Sequence, residues 1–259
     1  MGESYNHRDN PDLMLKLYPI DWTSLARKEY DRSEQAFALG VPTPKPEELV
    51  KVPDGRMGIV FQRIQGKKSF AKAVGEDPSR TEELAVRFAA MCKVLHSTRA
   101  NLEGIPSYKE FLERLFKTNP HLTSAQNDKV LRFIADIPDA DTALHGDLHF
   151  GNAIFRGEEN WFIDVGEFGY GHPLIDLGIF MSVTNYTSEE MMQKLYHMDR
   201  DSAVRFWQFF TREYFGADRP LKDLEEEIMP YAALHSLFVQ RVIGRLPEER
   251  QALVKCLLE

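Results

Sequence analysis

The sequence predicts an α+β fold in two lobes. A small β-rich lobe spans residues 1–65, and a larger, mainly helical lobe spans residues 66–259. Three observations predict it. Short apolar runs and a hairpin pattern fill the first 65 residues. After Gly66 the apolar residues recur at helical spacing. One later stretch, Ala143 to Asp164, returns to short strand-like runs between polar residues.

The elements follow in chain order. "LMLKLYP", Leu13 to Pro19, is short, apolar and closed by proline, and reads as a strand with Lys16 at its middle. "TSLARKEYDRSEQAFALG" reads as a helix, with Thr23 or Ser24 as N-cap, Gly40 as its stop, and Leu25, Ala36 and Phe37 on its inner face. Pro42, Pro44 and Pro46 then exclude helix. "LVKV", the turn "PDGR" and "GIVFQRI" read as a hairpin. Beyond Gly66, Ser79 three places before Glu82 marks a capping box, followed by Leu84, Phe88, Met91 and Leu95 on one helical face. Thr123 before Gln126 repeats the signature, with Val130, Leu131, Phe133, Ile134 and Ile137 behind it. Strands are expected near "TAL", "AIF" and "WFID". From Leu174 the chain is helical again, and Phe206, Trp207, Phe209 and Phe210 read as core rather than as a cage for a cation.

Bulk properties narrow the function. The chain has 259 residues, of which 43% are hydrophobic and 11% aromatic, enough for a real core. The formal net charge of −8 and a sequence pI near 5.6 argue against a nucleic-acid or anionic-membrane partner and are compatible with a cationic small molecule. Two cysteines, Cys92 and Cys256, make neither a disulfide framework nor a thiolate zinc site. No apolar run reaches eighteen residues, and the first residues are polar, so a cytoplasmic protein is expected. Composition leaves the oligomeric state open.

The chemistry concentrates in "ALHGDLHFGNAIFRGEENWFIDVGEFGYGHPLIDLG", Ala143 to Gly178. Asp147 precedes Asn152 by five positions, and Asp164 follows Asn152 by twelve. "AIF" and "WFI", joined by the polar turn "RGEEN", form a hairpin, so Asn152 and Asp164 meet at one end. Two oxygen ligands on rigid strands suit magnesium, which prefers carboxylate, amide and phosphate oxygens. Asp147, on the loop before the hairpin, faces the same space and is free to take a proton from a hydroxyl. Asp, four residues, Asn, then a second Asp after a hairpin is the order of phosphoryl-transfer sites.

The whole pattern, His145-Gly146-Asp147, Asn152, Asp164-Val165-Gly166 and the later Asp176-Leu177, resembles the aminoglycoside phosphotransferase and choline kinase-like family of small-molecule kinases. The resemblance runs from about Glu3 to Gly178. It implies a two-lobed protein-kinase-like fold and an ATP- (or GTP-) and Mg2+-dependent transfer to a hydroxyl of an aminoglycoside, choline, sugar or amino alcohol. It implies that Asp147 is the catalytic base and that Asn152 and Asp164 hold the metal. Lys16 would reach the α- and β-phosphates, oriented by Glu29, with Glu34 as the alternative. The backbone of Gln62, Arg63 and Ile64 would meet the base. The family places a strand, a glycine-bearing loop and a second strand before this lysine. Fifteen residues precede Lys16 here, enough for the end of the loop at Gly2 and Ser4 and for the second strand, so the first strand is expected to be missing. His145 is expected to hold the loop by hydrogen bonds and Asp176 to brace it, while His149 and Glu167 stay unassigned.

Two other readings use the same residues. His145, Asp147 and His149 alternate as ligands of a hydrolytic metal would on a strand. A kinase-like protein that binds nucleotide without catalysis is suggested by the short start.

Overall fold

The computed structural model describes residues 2–259. The chain begins with an antiparallel sheet of four strands in the order β1-β2-β4-β3. These are β1 (Glu3–Asn6), β2 (Leu13–Leu17), β3 (Pro46–Lys51) and β4 (Met57–Gln62). Lys16 lies opposite Ser4 on one side and Ile59 on the other. Ser4 is therefore part of strand β1, not of a loop end, and β1 is the one strand ahead of β2 among the described residues.

Helix α1 (Thr23–Ala38) crosses this sheet, between β2 and β3 in the chain. Its buried residues are Ala26, Ser33 and Ala36, while Leu25 and Phe37 are exposed. The expected inner face was therefore wrong for two of its three residues. Small side chains let the helix lie close to its neighbours, and Leu25 is turned into a cleft instead. Neither Thr23 nor Ser24 caps it: the N-cap is Trp22, with no side-chain bond, because a turn of 3₁₀ helix over Ile20–Trp22 runs directly into α1. Tyr18, Ala26 and Ile59 make a small core between helix and sheet.

The remainder builds on β5 (Lys68–Ser69), α2 (Phe70–Glu76), α3 (Thr81–Ser97), α4 (Tyr108–Phe116) and α5 (Ser124–Asp136). Helix α3 starts two residues later than its sequence signature. Asp77, before Pro78, accepts the Ser79 amide and hydroxyl, so Ser79 is itself capped and makes no capping box. On α5 the box between Thr123 and Gln126 forms as expected.

Then come β6 (Ala143–Leu144), β7 (Ala153–Arg156), β8 (Glu159–Phe162) and β9 (Gly169–Tyr170). Strand β7 pairs with β8 through a tight turn, Arg156 opposite Glu159, and with β5 on its other edge. Strand β6 pairs with β9. Helices α6 (Leu174–Asn185), α7 (Glu189–Tyr196), α8 (Arg200–Phe215), α9 (Leu221–Ile243) and α10 (Gln251–Leu258) complete the chain.

Most of the core lies under these later helices. Phe88 on α3 meets Phe180 at 5.1 Å and Phe206 at 5.9 Å, and Phe180 meets Phe210 at 4.8 Å, all edge-on. Such pairs add about 0.5–1.5 kcal/mol each beyond burial. Phe206, Trp207 and Phe210 are fully buried, and Phe209 packs against this core, so the expectation of core held. Phe150, just before β7, inserts into the same cluster. The segment carrying Asp147 is thus anchored in the larger hydrophobic core of the molecule.

Candidate active site

The site begins with how the loop from His145 to Asn152 is held. Leu148 and Phe150 are fully buried, while Asp147 and His149, which alternate with them, keep partial exposure. This alternation sends apolar anchors into the core and leaves the Asp147 carboxyl about half exposed (48%). Gly146 has a positive φ of 79°, and a Cβ there would lie 2.3 Å from the Glu167 carbonyl oxygen, so only glycine fits. The Gly146 peptide is clamped on both sides: its N–H donates to Asp176 Oδ1 at 2.9 Å, and Tyr108 Oη donates to its carbonyl at 2.8 Å.

Asp176 is completely buried in the first turn of α6, where the helix dipole favours a carboxylate. It also accepts the His145 amide at 2.7 Å and lies 3.2 Å from His96 Nε2. His96 Nδ1 meets Tyr214 Oη at 2.7 Å. The His145 ring ties the loop to the far end of β8: Nε2 reaches the Ile163 carbonyl at 3.0 Å, and Nδ1 accepts the Asp147 amide at 3.3 Å. Both ring nitrogens are occupied, so His145 is no metal ligand, and the described residues contain no group of three or more histidines, cysteines or carboxylates able to hold a metal. The hydrolase reading loses its ligand set.

Asn152 and Asp164 come together as the hairpin requires, the Ile163 amide donating to the Asn152 carbonyl at 2.8 Å. Asn152 Nδ2 donates to the Asp147 carbonyl (3.0 Å) and to Asp147 Oδ2 (2.9 Å). Two acceptors on one side fix the amide orientation, which leaves Oδ1 without a protein donor among the described residues. Asp164 sits in the left-handed region at φ 57°. One amide oxygen and one carboxylate, with phosphate and water filling the other positions, is a donor set that fits magnesium.

Lys16 Nζ bonds both Glu29 Oε1, at 2.7 Å, and Asp164 Oδ1. Tyr18 Oη donates to the other Glu29 oxygen. Glu34 instead accepts from Tyr30 on an exposed face. Gly166 gives Glu29 room: a Cβ on it would approach the Glu29 side chain to 3.3 Å. Burial pulls the Lys16 ammonium down, but Asp164 and Glu29 outweigh it and hold it above its ordinary value. Burial likewise raises the Asp164 carboxyl, and the Lys16 charge and hydrogen bond, with His145 and His149 nearby, together more than reverse that.

These groups line a cavity of about 430 Å³ between α1, the four-stranded sheet and the Asp164 loop. Its apolar lining includes Met14, Leu25, Phe61, Ile64, Ile154 and Ile163. Gln62 and Ile64 line it, but Arg63 does not: its amide donates to the Asp12 carbonyl at 2.7 Å. The Gln62 amide is also committed, to the Lys45 carbonyl at 2.8 Å.

Several participants carried no sequence signal. Tyr18, Tyr108 and His96 act from positions remote in the chain. Lys28 bonds both oxygens of Glu167, at 2.6 and 2.7 Å, tying α1 to the Asp164 loop. His149 packs on Tyr196, with Nε2 3.8 Å from Asp147 Oδ2, and burial lowers its basicity. Cys92 is buried in α3 and Cys256 exposed, with no disulfide.

No helix of the described residues is long and apolar enough to cross a membrane. None of the curated proteins matches the chain. Among solved structures, the apo form of a thermostable mutant of aminoglycoside phosphotransferase APH(4)-Ia matches with a TM-score of 0.70 at 11% identity, covering 98% of this chain and 90% of that one. Choline kinase LicA from Streptococcus pneumoniae matches with a TM-score of 0.57 at 13% identity, covering 98% and 92%. Amicoumacin kinase hAmiN, in complex with AMP-PNP, Ca2+ and Ami, matches with a TM-score of 0.56 at 16% identity, covering 95% and 80%. These likenesses establish the kinase-like fold. The model of the phosphotransferase enzyme family matches residues 4–210, and the chain belongs to that family as a small-molecule phosphotransferase.

Proposed function

We propose that the chain transfers the terminal phosphoryl group of ATP or GTP, with magnesium, to a hydroxyl of a small molecule in the cytoplasm. The observation that carries this reading is the joining of Lys16, Glu29 and Asp164 in one network at the wall of a nucleotide-sized cavity. Residues 1–65 supply most of the base and phosphate contacts, and residues 66–259 supply the reacting end.

The phosphoryl donor would enter with its base against Phe61 and Ile64 and its phosphates toward Lys16. Lys16 would then leave Asp164 for the α- and β-phosphates while Glu29 keeps it in place. Magnesium, held by Asn152 Oδ1 and Asp164, would offset the phosphate charge. Asp147 would accept the proton of the acceptor hydroxyl as the new oxygen–phosphorus bond forms. The bond from that phosphorus to the bridging oxygen breaks, and the nucleoside diphosphate leaves. Asn152 Nδ2 holds the Asp147 carboxylate for this proton transfer. Catalysis is then mostly positioning and charge stabilisation.

The acceptor would approach past His149 and Tyr196, over the helices of residues 180–245. Related structures hold hygromycin B with ADP or AMP-PNP, and others are choline kinases, so aminoglycosides and amino alcohols head the acceptor panel. Calorimetric titration with AMP-PNP, with and without magnesium, followed by acceptor-dependent ADP release, tests the reading. Magnesium-dependent binding with turnover supports it. Binding with no turnover on any acceptor favours a nucleotide-binding protein without catalysis, and binding of neither AMP-PNP nor GMP-PNP refutes both.

A further inference from the structure

Three lysines line the cavity, Lys16, Lys28 and Lys67, and three carboxylates face them, Glu29, Asp164 and Glu167. Two of the lysines are engaged. Lys16 bonds Glu29 and Asp164, and Lys28 holds both oxygens of Glu167. Lys67 makes no ion pair or side-chain hydrogen bond among the described residues; the one charge that acts on it is the Asp164 carboxylate. Its side chain has solvent access, yet the cavity wall desolvates its ammonium enough to lower its basicity, the Asp164 charge opposing. An ammonium that loses hydration without gaining a partner is destabilised, unless a ligand brings the missing anion.

Its place in the chain defines which anion. Lys67 follows Ile64 by three residues and immediately precedes β5, the edge strand beside β7. Ile64, Lys67 and Asp164 all line the one cavity, and Lys67 lies near enough to Asp164 to feel its charge. The cavity thus brings Lys67 together with an apolar wall that suits a base and with the carboxylate proposed for the phosphate end. The charge balance points the same way. A triphosphate carries more negative charge than one divalent cation neutralises, and Lys16 alone, shared with Glu29, has to answer for the rest. Lys67 is the cavity cation with no carboxylate committed to it.

We propose that Lys67 is a second phosphate-binding lysine of the nucleotide site, reaching the phosphate chain from the side of the three-stranded sheet β5-β7-β8 while Lys16 reaches it from the four-stranded one. The proposal rests on the nucleotide reading of this cavity. It predicts that part of the affinity depends on the phosphates and is independent of the base.

The test is calorimetric titration of the full chain, in magnesium, with AMP-PNP and separately with adenosine, for the wild type, Lys67→Met and Lys67→Arg. Lys67 is a surface residue, and equal melting temperatures verify that the variants fold. Lys67→Met should weaken AMP-PNP by about tenfold, as loss of a charge-assisted contact does, and change adenosine by less than about twofold. Lys67→Arg should retain AMP-PNP affinity to within about threefold. Unchanged AMP-PNP affinity in Lys67→Met, with the wild type binding, overturns the lysine's role alone. So does an equal loss for both ligands, which would place Lys67 against the nucleoside. A wild type that binds neither ligand, and GMP-PNP no better, overturns the nucleotide reading and this proposal together.

Discussion

The buried carboxylate of Asp176 accepts the backbone amides of His145 and Gly146, at 2.7 and 2.9 Å. These are the two residues directly before Asp147. The position of the proposed base is thus set by a charge it never touches, through its own backbone. In Asp176→Asn the charge is lost, and the one remaining carbonyl oxygen serves only one of the two amides. Stability should fall by about 1.5–3 kcal/mol, the scale of a hydrogen bond to a charged group. The turnover number should drop at least tenfold, while AMP-PNP affinity moves by less than about twofold. Thermal unfolding and kinetics on the same preparation check this; wild-type turnover in a destabilised variant would show that Asp176 only supports the fold.

Asp147→Asn keeps the side-chain shape but removes the proton acceptor. Phosphoryl transfer should fall by about 10²–10⁴-fold, with nucleotide binding nearly unchanged. Residual activity above about a tenth of wild type would assign the proton to another group.

The contrast between what the sequence revealed and what it hid follows from distance along the chain. Asp147, Asn152 and Asp164 lie within one loop and one hairpin, so their convergence is dictated by local geometry. The strand carrying Lys16 and the hairpin around "PDGR" were legible for the same reason. Glu29 was reached only through the family resemblance, which left Glu34 as an alternative; the Lys16 bond singles out Glu29. Tyr108, His96 and Lys67 reach the site from elements that no periodicity links to it. The inner face of α1 was misread because Ala26 and Ser33, not Leu25 and Phe37, are buried. Where α1 meets the loop glycine Gly166 it presents Glu29, and it turns Leu25 toward the cavity. The Ser79 capping box failed because Asp77 and Pro78 upstream offered a better start.

Asp164→Ala should abolish the magnesium dependence of nucleotide binding. AMP-PNP affinity without metal should change little, and magnesium should no longer raise it. Titrations at several magnesium concentrations measure this. If the variant keeps the wild-type magnesium response, Asp164 is a partner of Lys16 and nothing more.

The Lys16–Asp164 pair also makes a prediction for pH. Burial pushes the Asp164 carboxyl up, but the Lys16 charge and hydrogen bond, with His145 and His149 nearby, together hold it below its ordinary value of 3.8. Its contribution to stability is therefore complete above that ordinary value and is lost as pH falls through the lowered one. The Lys16 ammonium is held above its ordinary value of 10.5 by Asp164 and Glu29, again against burial. Its contribution is complete below 10.5 and is lost only at still higher pH. Between about pH 5 and about pH 9 both groups stay charged, so the melting-temperature gap between wild type and Lys16→Met should be constant. Toward acid the gap should narrow as Asp164 takes up a proton. Unfolding scans of both proteins across a pH series measure it. A gap that changes steeply between about pH 6 and pH 8 would place a histidine, not this pair, in control of the site's charge.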